Sequence, residues 1–208
     1  MKNLLLTSCL AITSLVGFSQ TARVQVIHNS ADPAAKFVDV YLDGALLLND
    51  FKFRTATPYI DAPAGTPITI SIAPSTSVSV DDAIANFTYT LTEGDKYVVL
   101  ANGVLDPGAF AANPDGVSTA FNLFVRNEMR EEALDAANLD FVFFHGSTDA
   151  PTVDAIARGV ATVVDNAAYT SFTDYVSVPA DKYIIDVTPG DLPSLIVASA
   201  RAFLDGAG

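Results

Sequence analysis

Val24-Gln25-Val26-Ile27-His28-Asn29-Ser30-Ala31-Asp32-Pro33 decides the reading of this chain, because its pattern returns later. Phe141-Val142-Phe143-Phe144-His145-Gly146-Ser147-Thr148-Asp149-Ala150-Pro151 repeats its order of residue types. Val38-Asp39-Val40 then meets Val153-Asp154-Ala155, and the Asp43-Gly44 turn meets Arg158-Gly159. Tyr59-Ile60-Asp61-Ala62-Pro63-Ala64 meets Tyr175-Val176-Ser177-Val178-Pro179-Ala180, and Ile70 to Pro74 meets Ile185 to Pro189. The register drifts by only a few residues, so two copies of one small domain are the simplest account.

Within each copy the period is two. In Ile68-Thr69-Ile70-Ser71-Ile72 the isoleucines point one way and the hydroxyls the other, and Phe87-Thr88-Tyr89-Thr90-Leu91 does the same. That alternation marks strands with one wet face. Asp43-Gly44, between Val38 to Leu42 and Ala45 to Leu48, predicts a tight hairpin, since both of its turn positions want positive φ. Of the 24 acidic residues 20 are Asp, a residue poor in helices and favoured in turns. Helical spacing occurs only over Asn127 to Asn138, read as a linker helix or an irregular connection. Residues 20–127 are therefore a first β repeat, 128–138 a linker and 139–208 a second repeat.

The copies end differently. The first continues after Phe87 to Leu91 into Tyr97-Val98-Val99-Leu100-Ala101 and Phe121-Asn122-Leu123-Phe124-Val125. The second reaches Ile196-Val197-Ala198 and Ala202-Phe203-Leu204 without counterparts of those two strands, so it is expected to be truncated. A sandwich short of two strands exposes an apolar seam and unpaired edges. The expectation is a fragment of a longer protein, the alternative another chain filling the gap.

Residues 1–19 read as a secretory signal peptide: Lys2, then an apolar run from Leu4 to Phe18, then Gly17-Phe18-Ser19 as a small-x-small cleavage site. The run is too short and too broken by Thr7, Ser8, Thr13 and Ser14 for a stable span. Leu6-Thr7-Ser8-Cys9 resembles a lipobox, but almost no apolar segment precedes it, and simple secretion is preferred. Cleavage removes the one cysteine and Lys2, leaving 10 basic residues against 24 acidic. The mature chain has no disulfide and no thiolate chemistry. A net charge of -13 in the full chain argues against nucleic acid as partner.

His28, Ser30 and Asp32, echoed by His145, Ser147 and Asp149, invite a nucleophile reading. A triad needs serine beside one imidazole nitrogen and carboxylate beside the other. On one extended strand His28 and Ser30 lie about 7 Å apart, at a rise of about 3.3 Å per residue. A strand end is the better reading, the histidine bonded to its surroundings and Ser or Asp closing a turn; no catalytic residue is assigned. With two histidines in the chain, no unit can supply the usual imidazole set for zinc. Calcium takes carboxylates and carbonyls, so Asp32 with Asp39, and Asp149 with Asp154, are the metal candidates, and Asp81-Asp82 is a further local pair. No D-x-[DN]-x-[DN]-G loop occurs. Sugar binding needs aromatic platforms; there is no Trp, and Tyr41, Tyr59 and Tyr175 are the rings worth testing. Phe141 to Phe144 is continuously apolar, as for a strand covered on both faces, one cover being a possible contact between the units.

Arg23-Val24-Gln25-Val26-Ile27-His28-Asn29-Ser30, Asp32, Val38 to Gly44 and Pro58 to Gly65 resemble a family of secreted bacterial domains of unknown function, family 4397. The second copy fits at His145 to Pro151, Val153-Asp154 and Tyr175 to Ala180, and departs at Arg158-Gly159 and Asp181. The resemblance covers nearly all of the mature chain. It implies an all-β protein of two tandem immunoglobulin-like or transthyretin-like antiparallel β-sandwiches, the second incomplete at its C-terminus, in an exported envelope or extracellular protein. It implies no activity. The expectation is a secreted, cell-surface or periplasmic module with a structural, adhesive or assembly role and no cofactor, whose partners are other envelope or extracellular proteins or glycan. The alternative is a calcium-dependent small-ligand or glycan-binding module.

Overall fold

A computed structural model describes residues 20–204; the expected signal peptide and Cys9 lie outside the described residues. The first unit contains β1 (Thr21–His28), β2 (Phe37–Leu42), β3 (Ala45–Lys52), β4 (Thr55–Ala56), β5 (Ile60–Pro63), β6 (Pro67–Pro74), β7 (Ala85–Thr90), β8 (Lys96–Asn102) and β9 (Asn122–Arg126). One sheet runs β4-β1-β8-β9, with β5 also on β1; the other runs β3-β2-β6-β7. Their facing residues make the core: Val38, Val40, Ile68 and Ile72 from one sheet, Val24, Val99 and Leu123 from the other. Alternate burial along β7 follows the period-two sequence of Ala85–Thr90.

The second unit repeats half of this plan in full and half in part. β11 (Val153–Ala157), β12 (Ala161–Ala167), β14 (Asp181–Pro189) and β15 (Ala198–Leu204) form a sheet of order β12-β11-β14-β15, matching β3-β2-β6-β7. Opposite it, β10 (Asn138–Phe141) and β13 (Val176–Pro179) pair only with each other among the described residues. Among the described residues no strand stands in the places that β8 and β9 take in the first unit. Its core is correspondingly small: Val153, Ala155, Val164 and Ala167, with Phe143, Ile185 and Val187 packed against them.

Two details go beyond the sequence reading. The sheets are not wholly antiparallel: β8 runs parallel to β1 from Arg23 opposite Lys96 to His28 opposite Ala101. Residues 128–137 form no helix; they are an irregular connection that ion pairs tie down. The β2–β3 hairpin has the expected geometry, with Asp43 at φ 49° and Gly44 at φ 83°.

A bulge recurs at the same place in both units. The ladder between β2 and β3 slips between Val38 and Val40, and that between β11 and β12 slips between Val153 and Ala155. Across from each slip stands a residue with left-handed backbone, Asp50 at φ 52° and Asn166 at φ 53°. The Asp39 carboxylate accepts the Asp50 amide at 2.9 Å, and the Asp154 carboxylate accepts the Asn166 amide at 2.7 Å. Each buried aspartate thus holds an extra residue that would otherwise leave an amide unpaired.

Replacing Asp39 by Ala leaves the Asp50 amide and the Ser77 hydroxyl without their acceptor. The expected loss is about 2 kcal/mol of unfolding free energy, the usual penalty for orphaning buried donors. Urea denaturation checks this; an unchanged midpoint would remove the clamp from the account.

Candidate functional site

β1 ends in a turn built around an imidazole. His28 is fully buried, and its Nε2–H donates to the Ala35 carbonyl at 2.7 Å. Phe51 and Phe53 flank the ring at 5.9 and 6.1 Å. The Ser30 hydroxyl donates to the Gly103 carbonyl at 2.6 Å. Asp32 caps the short 3-10 turn Pro33–Ala35 through the Ala34 amide and takes the Leu105 amide with its second oxygen, both at 2.8 Å. The three side chains therefore face separate partners, and the structure does not assemble them into a proton relay.

The second unit repeats the device. His145 Nε2–H donates to the Pro151 carbonyl at 2.9 Å, and its ring lies edge-on to Tyr169 at 5.9 Å. The carbonyl of each histidine receives an amide from a left-handed residue, Arg54 in the first unit and Thr170 in the second, at 2.8 Å. Ser147 donates to Asp149 at 3.0 Å on the exposed surface. Burial lowers the affinity of both imidazoles for protons, although the carbonyls that accept from them pull the other way.

The calcium candidates resolve individually. Asp32 holds two amides, Asp39 holds an amide and the Ser77 hydroxyl, Asp154 holds an amide, and Asp149 accepts from a serine. No partner is shared between Asp32 and Asp39 or between Asp149 and Asp154, and among the described residues no group of three or more His, Cys, Asp or Glu could hold a metal ion. Asp82 closes a capping box with Ser79. Of the three tyrosines, Tyr41 is buried and bonded to Ser77, Tyr59 is half-buried beside Arg23, and Tyr175 lies beneath the Arg130 guanidinium at 3.6 Å.

What the histidine turns bring together is the contact between the units. Asn102, fully buried at the end of β8, accepts from the Asn29 amide group at 2.9 Å and donates to the Tyr169 hydroxyl at 3.2 Å. Gly146 lies against this pair; a Cβ there would sit 2.8 Å from Asn102 Oδ1. Gly146 occupies the repeat position of Asn29, so the second copy lacks a side chain where the first reaches across. Phe144 packs between Phe124 and Phe172 at 5.4 and 4.6 Å, the cover expected for Phe141 to Phe144. Asn113 donates to the Thr148 and Ala150 carbonyls, and Asp115 accepts both the amide and the hydroxyl of Thr152. Arg126 reaches the Thr173 carbonyl and Asp174.

The connection completes the seam. Glu131 pairs with Arg23 and Lys96 of the first unit, each at 3.1 Å, and the neighbouring Arg130 pairs with Asp140 of the second at 2.9 Å. Those two cations hold the Glu131 carboxyl below its ordinary pKa, through hydrogen bonds first and charge second. The Arg130 amide donates to the Tyr175 hydroxyl at 2.6 Å. Adjacent residues of one connecting segment thus fasten to opposite units.

A family model described as "Domain of unknown function (DUF4397)" matches residues 22–142 and again 140–205. The chain belongs to the DUF4397 family. No curated protein is similar enough to match it. Each DUF4397 repeat thus contributes one histidine turn and one clamped bulge, and the seam joins the two repeats.

Sequence reasoning located the DUF4397 histidines and aspartates and read Phe141 to Phe144 as a contact between the units, but missed the polar part of the seam. Its one legible trace was the change from His28-Asn29-Ser30 to His145-Gly146-Ser147, where a glycine replaces the residue that needs space.

Because burial lowers the proton affinity of both imidazoles, the unfolded chain takes up protons more readily than the folded chain once pH falls toward about 6.5. Stability is present above that value and declines as pH drops further. Denaturation between about pH 7 and about pH 5 is expected to show a decline that flattens in the His28→Gln, His145→Gln variant. Equal slopes in the two proteins would contradict it.

Proposed function

We propose that this DUF4397 protein is an exported, non-catalytic β-module whose two sandwiches act as one stiff piece in a bacterial envelope or extracellular assembly. The seam carries the reading. Buried amide–amide and amide–hydroxyl bonds, a three-ring aromatic contact and opposed ion pairs on one connection all restrain the same two bodies. A hinge between domains has few such contacts, whereas a fixed spacer needs many. Histidines and aspartates that could serve chemistry are bonded within the scaffold, which supports a role in presentation over turnover. In such a module the sandwich holds loops at its ends for partners to read. The acidic surface and the leader-like first 19 residues support export.

Spin labels on exposed positions Val78 and Val160, one in each unit, test the stiffness. A narrow distance distribution is expected for the full chain. Phe144→Ala removes two ring contacts and is expected to broaden it and to cost about 3 kcal/mol. A broad distribution in the unaltered protein would defeat the spacer role. Fractionation of bacteria expressing the chain with and without residues 1–19 tests export separately; retention of both forms in the cytoplasm would defeat that half.

A further inference from the structure

Arg23, Lys96, Arg126, Arg130 and Arg158 each pair with a carboxylate. Lys36, Lys52 and Arg54 form no ion pair among the described residues, although the chain carries 24 acidic residues against 11 basic. All three are exposed and stand at one corner of the first unit. Phe37 lies opposite Lys52 in the ladder of β2 and β3, and the Phe53 amide donates to the Lys36 carbonyl at 2.9 Å. The Lys36 ammonium sits over the Phe37 ring at 5.7 Å and the Arg54 guanidinium over the Phe53 ring at 5.3 Å. Phe37 remains 38% exposed. The carboxylates nearest in sequence are bonded elsewhere: Asp32 to two amides, Asp39 to an amide and Ser77, Asp50 to the Asn49 side chain. His28 fixes the group from both sides, since its Nε2–H holds Ala35, just before Lys36, and its carbonyl holds the Arg54 amide.

The second unit shows that this corner does not need the cations. His145 closes it with the same two bonds, while Pro151-Thr152 and Ala168-Tyr169-Thr170 stand where the first unit has Lys36-Phe37 and Lys52-Phe53-Arg54. There the corner is a contact surface between polypeptide segments: Thr152 donates to Asp115, and the Tyr169 hydroxyl accepts from Asn102. On the first unit the equivalent surface is exposed and positively charged. Unbalanced cations on an acidic protein draw in and orient an anionic partner.

We propose that the corner of Lys36, Phe37, Lys52 and Arg54 docks a short acidic segment of a separate protein, with carboxylates on either side of an apolar residue. The carboxylates meet the three cations, and the apolar side chain lies against Phe37. Several observations select a polypeptide. The Lys36 ammonium already takes one of the ring faces on which a sugar would stack. One exposed phenyl group offers too little apolar area to enter a bilayer. A long polyanion such as nucleic acid would run from this corner into the field of a chain with net charge -13. A short acidic segment reaches the cations without crossing that field. The proposal rests on reading the protein as a module that presents its ends to partners.

The test uses the full chain and a fluorescent peptide, Gly-Glu-Glu-Leu-Glu-Glu-Gly, followed by anisotropy. Saturable binding is expected, at least about tenfold tighter than that of the same peptide with Gln for Glu, and weakening as salt rises from about 50 mM to about 300 mM. Joint replacement Lys36→Gln, Lys52→Gln, Arg54→Gln should weaken binding at least about tenfold. Arg201→Gln removes a cation of the second unit that also lacks an ion pair, and should leave binding unchanged. Gly for Leu in the peptide should weaken binding to the parent protein and make no difference to Phe37→Ser, which places the apolar residue at that ring. Unchanged thermal midpoints in these variants are expected, because the second unit builds the same corner without such side chains. Equal binding of the Gln peptide, no binding, or retention by the triple variant overturns the proposal. So does equally tight binding of charge-matched oligogalacturonate or of phosphatidylglycerol vesicles, which would make the occupant a glycan or a membrane. Self-association of the parent protein that the triple variant abolishes would make it a second copy. The distance measurement across the seam and the fractionation of cells are separate from these outcomes, so the docking corner can fail while the stiff exported spacer stands.

Discussion

One imidazole N–H held by a backbone carbonyl shapes both units. The chain must cross from the sheet of β1 to the sheet of β2, and at the crossing it leaves the ladder that had satisfied its backbone. His28 closes that corner by donating to Ala35, and His145 closes its own by donating to Pro151. Each ring is buried, so its bond is not exchanged for water and losing it would orphan the carbonyl. Around the corner everything else is fixed in turn. The left-handed Arg54 and Thr170 return their amides to the histidine carbonyls, and in the first unit Asp32 draws Leu105 toward the same turn. The residue after each histidine is consequently placed with little freedom, and in both units that residue faces the seam.

From this placement the union of the two units follows. Asn29 can bond Asn102 because the corner before it is rigid, and Gly146 can admit that pair because it bears no side chain. A fully buried asparagine is tolerable only with partners on its amide, and Asn102 has one from each unit. The network is polar where the two histidine corners meet and aromatic around Phe144. Polar contacts select one relative position, while the ring contacts of Phe124, Phe144 and Phe172 supply area without direction. Arg130 and Glu131 then hold the connection along both bodies, which explains why a segment with helical spacing is not a helix. Its side chains are committed to opposite sides, and a regular helix would carry adjacent residues about 100° apart instead of to the two partners they meet.

Much of the fold was legible because β structure is written locally. Alternation in Ile68 to Ile72, the Asp43-Gly44 turn and the recurrence of the histidine stretch each depend on neighbours within a few residues. The parallel pairing of β1 with β8 was not legible, because pairing between strands so far apart leaves no mark on either one. The aspartates were legible as important and illegible as to why. Asp39 and Asp154 fit an oxygen ligand set by type, yet their bonding is decided by a bulge on a neighbouring strand. The polar part of the seam was the least legible, since Asn113, Tyr169 and Arg130 look like ordinary polar or aromatic residues until both units are in place, whereas the apolar run Phe141 to Phe144 marked the aromatic part.

Duplication explains why the copies could diverge in opposite directions. The first unit keeps both sheets, so its core is closed from within and its apolar residues have no further call on partners. The second keeps the sheet that carries the bulge clamp and the two strands that carry the histidine corner. Those are the parts that position the seam, and the first unit packs against them through Phe124, Asn102, Asn113 and Asp115. Along β15 the sheet carries less bulk: Ala200 and Ala202 stand opposite Ile185 and Tyr183, where Phe87 and Tyr89 stand opposite Ile70 and Ile68 in the first unit. The second core is accordingly small, with Val153, Ala155, Val164 and Ala167 buried where the first unit encloses a larger set between its two sheets.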